Sequence, residues 1–105
     1  MTALPEIGFV ALSSALLAIG LFGILTRRNF ILLLISIEIA MNAAILNFVY
    51  FAAYSSGTAG LTGQSIAVVL VGFAATEVAV GLGIVLALNR VKGTINVARA
   101  TELKL

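Results

Sequence analysis

Between Arg28 and Arg90 the chain runs for 61 residues without a Lys, Arg or Asp, and its only charges there are Glu38 and Glu77. Soluble domains carry charge on roughly a quarter of their residues. Here 10% of 105 residues are charged and 62% are hydrophobic. A chain this short cannot fold so much apolar surface into its own interior. It belongs in a bilayer, whose core is crossed by about 20 apolar helical residues. Three stretches have that length, at about 7–25, 30–54 and 66–88. Thr26-Arg27-Arg28-Asn29 breaks the first from the second. The run from Ser55 to Ser65, rich in Gly, Ser and Thr, reads as an exposed loop before the third. A polar tail, 89–105, carries Arg90, Lys92, Arg99, Glu102 and Lys104. The expected fold is an all-α membrane protein, one domain of three transmembrane helices.

The first apolar stretch is expected to be a retained helix and not a cleaved leader. Its flank carries Glu6 and no basic residue, its apolar run is long, and no Ala-x-Ala site closes it. Both cationic clusters, Arg27-Arg28 and the tail, fall on one face of a three-helix chain, while the other face has neither Lys nor Arg. The positive-inside rule then places the N-terminus outside and the C-terminus in the cytoplasm. The protein is expected to be multi-pass in the inner or plasma membrane. Tyr50 and Tyr54, near the outer end of the second helix, suit an aromatic belt.

The chain has no Cys, His or Trp. Iron–sulfur, haem and structural zinc sites need thiolate or imidazole ligands, so no cofactor or metal is expected on this chain. A nucleic-acid partner is not expected either.

Any chemistry must then lie with the two intramembrane glutamates. Glu38 is eight residues past Phe30, about 12 Å into the membrane, and Glu77 is eleven before Leu88, about 16 Å from the same face. The two helices run antiparallel, so both acids reach similar depths near the midplane. A carboxylate there costs about 2.5–3.5 kcal/mol on insertion scales, and two of them need a reason. Hydrocarbon favours the neutral acid, while a nearby cation or water favours the carboxylate. A group balanced between the two can take up and release a proton, as a relay requires. The plainer reading is a neutral acid hydrogen-bonded to a neighbouring helix, serving assembly alone.

Asn42 lies about 40° from Glu38 around the helix, so a polar pair shares one face, while Ser36 and Asn47 lie opposite. Near Glu77, Ala74 and Gly81 are small and leave room for water or a partner's side chain. Gly72, Thr76, Ala79 and Gly83 form a stripe of small residues on the third helix, and Gly8, Ala11, Ala15 and Ala18 form one on the first. Such stripes let helices approach closely in lipid. Three helices cannot both surround a hydrated path and shield two acids, so a larger assembly is expected.

Gly23-Ile24-Leu25-Thr26-Arg27-Arg28-Asn29, then Ser36-Ile37-Glu38-Ile39 with Asn42-Ala43, resemble the first loop and second helix of subunit K of proton-pumping complex I. Gly63-Gln64 and the segment from Ala74 to Leu82, with Thr76-Glu77-Val78, are similar to that family's third helix, and Gly93-Thr94-Ile95-Asn96-Val97 to its tail. The resemblance implies a membrane-arm subunit of a quinone-reducing, ion-translocating dehydrogenase, packed among J-, N- and A-type subunits. It implies that Glu38 and Glu77 are links in the polar axis joining the quinone site to antiporter-like subunits. Arg27 and Arg28 match the family's loop basics, with a role in assembly or coupling, or as a topology signal only. NADH, FMN, iron–sulfur clusters and quinone would belong to other subunits.

Two other readings stay open at this stage. The small C-type subunit of multi-subunit sodium/proton antiporters is a related three-helix protein without electron transfer in its complex. A purely structural assembly subunit would keep both acids protonated. A small multidrug transporter would need a fourth helix, for which the tail is too polar, and a rotor-ring subunit has two helices and one carboxylate.

Overall fold

The computed structural model of the chain describes residues 3–101. It contains α1 (Ala3–Thr26), α2 (Phe30–Ala53), α3 (Thr58–Lys92) and a short α4 (Val97–Ala100). The first three are long and apolar enough to cross a membrane. Glu102 and Lys104 of the polar tail lie outside the described residues.

The helix ends follow from local chemistry. Pro5 sits in the first turn of α1, where a missing N–H breaks no helical bond. Asn29 caps α2, its side-chain oxygen accepting from the Ile31 and Leu32 N–H groups at 2.9 and 3.3 Å. Gly93 ends α3 in the left-handed conformation, φ 66°, and its N–H donates to the Asn89 carbonyl.

One boundary departs from expectation. The segment 55–65 is not a loop: α3 begins at Thr58, and only the turn around Ser55–Gly57 separates it from α2. Gly57, φ 66°, takes the reversal. The other small residues serve the helix. A Cβ on Gly63 would lie 2.7 Å from Ala52 Cβ, so its absence lets α3 pack against α2. Ser65 satisfies its hydroxyl by donating to the Leu61 carbonyl one turn back. At its other end α3 continues past Leu88 into the segment expected as tail.

The three helices form a slab, with α2 between α1 and α3. α1 packs on α2 and α2 on α3, while α1 and α3 scarcely meet. Small residues build both seams. Against α1, a Cβ on Gly20 would lie 2.7 Å from the Ala40 nitrogen, and Gly23 makes room for Ser36. Ser13, 2% exposed, places its hydroxyl 2.8 Å from Asn47 Oδ1 and 3.0 Å from the Val10 carbonyl. Against α3, the Cβ position of Gly81 lies 2.7 Å from Leu34 Cδ1, and Ala67, Ala74 and Val85 are buried on α3.

Tyr50 also departs from expectation. It does not stand in a headgroup belt but turns into the α1 seam, 3% exposed, with its ring 4.5 Å from that of Phe9. Tyr54 remains exposed.

The chain's last described segment folds back on its first loop. The Val97 N–H donates to the Arg28 carbonyl at 2.6 Å and the Phe30 N–H to the Ile95 carbonyl at 2.8 Å, pairing Asn29 with Asn96 as an antiparallel bridge. Asn96 then caps α4 as Asn29 caps α2, accepting from Ala98 and Arg99.

Candidate functional site

Helix α2 offers a different face to each neighbour. Ser36, Ala43 and Tyr50 are buried on the α1 side, with Asn47 bonded there to Ser13. Leu34 and Ala52 meet the glycines of α3. Glu38 is four residues beyond Leu34, about 40° around the helix from it, and is half-buried on the flank of the α3 seam. Asn42 follows one turn later and is exposed. Glu38 and Asn42 therefore share an edge, opposite the Ser36–Asn47 face.

The packing register places the second acid. Along an antiparallel pair, each step forward on α2 is matched by a step back on α3. Leu34 meets Gly81, and Ala52 meets Gly63, so one register holds through both contacts. Four residues on from Leu34 is Glu38, and four back from Gly81 is Glu77. The two carboxylate residues lie level, one on each side of the seam.

Neither acid is enclosed by the chain itself, in line with the expectation that three helices cannot shield both. Glu38 is half-buried and Glu77 exposed, because a slab one helix thick has no interior to hide them. Glu77 opens into a groove walled by Leu34, Phe73, Val80 and Ile84. The space expected beside Glu77 is not vacant at Gly81, where Leu34 fills it, nor at Ala74, which is buried. Room for water or a partner lies on the open side of that groove. Placed against hydrocarbon, such a carboxylate costs about 2.5–3.5 kcal/mol, so this face calls for protein or water cover.

Both small-residue stripes also face outward. Gly72, Thr76, Ala79 and Gly83 are exposed, as are Gly8, Ala11, Ala15 and Ala18. A Cβ on Gly8, Gly72 or Gly83 would meet nothing within 4 Å.

Arg27 and Arg28 are exposed in the loop, beyond Phe30, which is itself about 12 Å along the helix axis from Glu38. The structure does not bring them to the acids; it ties the Arg28 carbonyl to Val97 instead. That tie is made by backbone atoms alone, and the one side-chain feature that accompanies it is the repeated Asn cap at Asn29 and Asn96. Among the described residues no cluster of His, Cys, Asp or Glu could hold a metal ion.

A family profile described as NADH-ubiquinone/plastoquinone oxidoreductase chain 4L matches residues 8–105. The chain belongs to this family. Within the chain 4L family it is 43% identical over 96 residues to NADH-quinone oxidoreductase subunit K 1 of Syntrophobacter fumaroxidans, covering 91% of this chain and 93% of the relative. It is 40% identical over 104 residues to subunit K 2 of Solibacter usitatus and 41% identical over 104 residues to subunit K of Bacillus anthracis, each covering 99% of both chains. Membership of the chain 4L family and three membrane-length helices make this a multi-pass protein of the cell membrane.

Proposed function

We propose that the chain is the K-type membrane-arm subunit of a quinone-reducing, proton-translocating dehydrogenase, in which Glu38 and Glu77 exchange protons along the intramembrane axis that couples quinone reduction to pumping. The observation that carries this reading is the level placement of two carboxylates across the α2–α3 seam, on helices with no cation of their own between Phe30 and Asn89. Asn42, one turn from Glu38, supplies an amide that can hydrogen-bond water or a partner on the same edge.

On this reading, J-, N- and A-type subunits cover the face that carries the two acids and complete the hydrated path. Arg27 and Arg28 lie on the cytoplasmic side and act in assembly or coupling. The chain moves protons and carries no electrons, in keeping with its lack of Cys and His. NADH, FMN, iron–sulfur clusters and quinone bind elsewhere in the complex. The names of the relatives, all NADH-quinone oxidoreductase subunits, favour this assignment over a subunit of a sodium/proton antiporter.

Replacing either glutamate by Gln keeps size and most hydrogen bonding but removes the titratable proton. Glu38→Gln and Glu77→Gln are each expected to lose proton pumping and the quinone reduction coupled to it, in membranes with matched assembly. Glu38→Gln is expected to be the more damaging, because Asn42 stands beside Glu38. Full pumping in both variants would sink the relay and leave a structural role, since an amide can replace a neutral acid.

A further inference from the structure

Every described cation of the chain lies at one end of the slab: Arg27 and Arg28 in the α1–α2 loop, Arg90 and Lys92 in the last turn of α3, and Arg99 in α4. The four arginines are exposed and Lys92 is half-buried. Among the described residues no acid accompanies them, since Glu6 is at the other end and Glu38 and Glu77 are in mid-helix. Chain order alone does not gather these charges. The two backbone bonds from residues 95 and 97 to residues 30 and 28 carry Arg99 back to the loop that holds Arg27 and Arg28.

We propose that this end of the molecule is a binding surface for anionic phospholipid headgroups. Its charges stand at the ends of membrane-crossing helices, at the depth where lipid phosphates lie. They are spread over three separate segments, which suits a layer of many phosphates. Arg90 borders a groove on α3 lined also by Gly83, Leu86, Ala87 and Asn89. An acyl chain can lie in such a groove with its phosphate at the guanidinium, an arrangement that an acidic protein surface has no use for. Each basic residue near an anionic surface contributes about fivefold in binding. This proposal is independent of the part played by the two glutamates.

The test uses the assembled membrane complex in phosphatidylcholine vesicles doped with photoactivatable phosphatidylglycerol or, separately, photoactivatable phosphatidylcholine. The readout is the ratio of the two labels on residues 83–101, which normalises each sample for its own assembly level. The unmodified chain is expected to give a ratio well above one. The pair Arg90→Gln with Arg99→Gln is expected to lower it at least fivefold, and Arg90→Lys with Arg99→Lys to restore it. Asn96→Ala, which uncaps α4, is expected to lower the label near Arg99 while sparing that near Arg90. A ratio near one, or one unmoved by the double Gln variant, overturns the proposal. So does a photoreactive residue at position 99 that captures a neighbouring subunit in place of lipid, because an acidic protein surface is then the partner.

Discussion

Gly81 of α3 rests against the side chain of Leu34 on α2, with no room for a further carbon at ordinary contact distance. That contact sets the level at which Glu77 faces Glu38, so its disturbance is expected to be felt one turn away. The neighbours of a Cβ at Gly81 are Leu34 Cδ1 and Cδ2, at 2.7 and 3.3 Å. These are the far end of a flexible side chain. Gly81→Ala should therefore be tolerated, with the shift of Leu34 offset by about 1 kcal/mol of helix propensity. Gly81→Leu must push the helices apart, at about 1–3 kcal/mol. Assembly on native gels and quinone reductase activity should fall for Leu and hold for Ala. Equal behaviour of the two variants would contradict the register.

The α1 seam is less forgiving. A Cβ on Gly20 would meet the nitrogen, Cα and Cβ of Ala40 within 2.9 Å, and backbone cannot swing aside. Even Gly20→Ala should destabilise the chain, by about 1–3 kcal/mol. Thermal unfolding of the purified complex, followed by loss of this subunit, measures the difference. An Ala variant as stable as the parent would show that α1 and α2 stand further apart than described.

Gly72 offers the opposite case, because its missing side chain meets no atom of the chain. Gly72→Leu should leave the packing of α1, α2 and α3 intact yet weaken the joining of this subunit to the complex, since a bulky residue holds a neighbouring helix away. Subunit content of the isolated complex is the measurement. Normal assembly and coupling would mean that this face of α3 points at lipid.

For the acids, shortening is a finer probe than neutralisation. Glu38→Asp and Glu77→Asp keep the titratable proton but withdraw it by one methylene. On the relay reading, each should retain more pumping than the matching Gln variant. An Asp variant as inactive as Gln would place the requirement on reach instead of on the proton.

Ser56, in the turn before α3, and Thr101, after α4, are both exposed. With three crossings between Ala3 and Lys92, cysteines introduced at these two positions should react with impermeant reagents from opposite sides of the membrane. The tail should be reached from the cytoplasmic side. Labelling of both from one side would overturn the count of crossings.

Much of this architecture was legible in the order of residues. Thr26-Arg27-Arg28-Asn29 cannot sit in hydrocarbon, so the break between α1 and α2 falls where the charges are. The start of α3 was not legible, because Gly60, Gly63 and Ser65 carry the same composition as a loop. In a membrane helix those residues pack closely and bond back to their own turn. The opposition of Glu38 and Glu77 could be estimated by counting inward from the charged ends. Their lack of enclosure followed from the helix count as well, since three helices supply too few neighbours to surround both. Tyr50 misled: an aromatic near a helix end reads as a belt residue until Phe9 is known to lie opposite it. The return of Asn96 to Asn29 is made by backbone atoms, which leave little trace in side-chain identity.

The two ends of the α2–α3 pair are thus both tethered. At one end Ala53 and Thr58 are joined by a tight turn. At the other, α3 overhangs the start of α2 by about 10 Å, taking Phe30 as level with Val85, and the segment after Gly93 returns across that overhang, where the Ile95 carbonyl accepts from the Phe30 N–H. A rod pinned at both ends cannot slide past its neighbour. Whatever motion passes through this subunit, the one-turn ratchet of helix past helix is closed to α2 and α3 while the pins hold. Glu38 and Glu77 can swivel or tilt relative to each other, but they stay on the same rung.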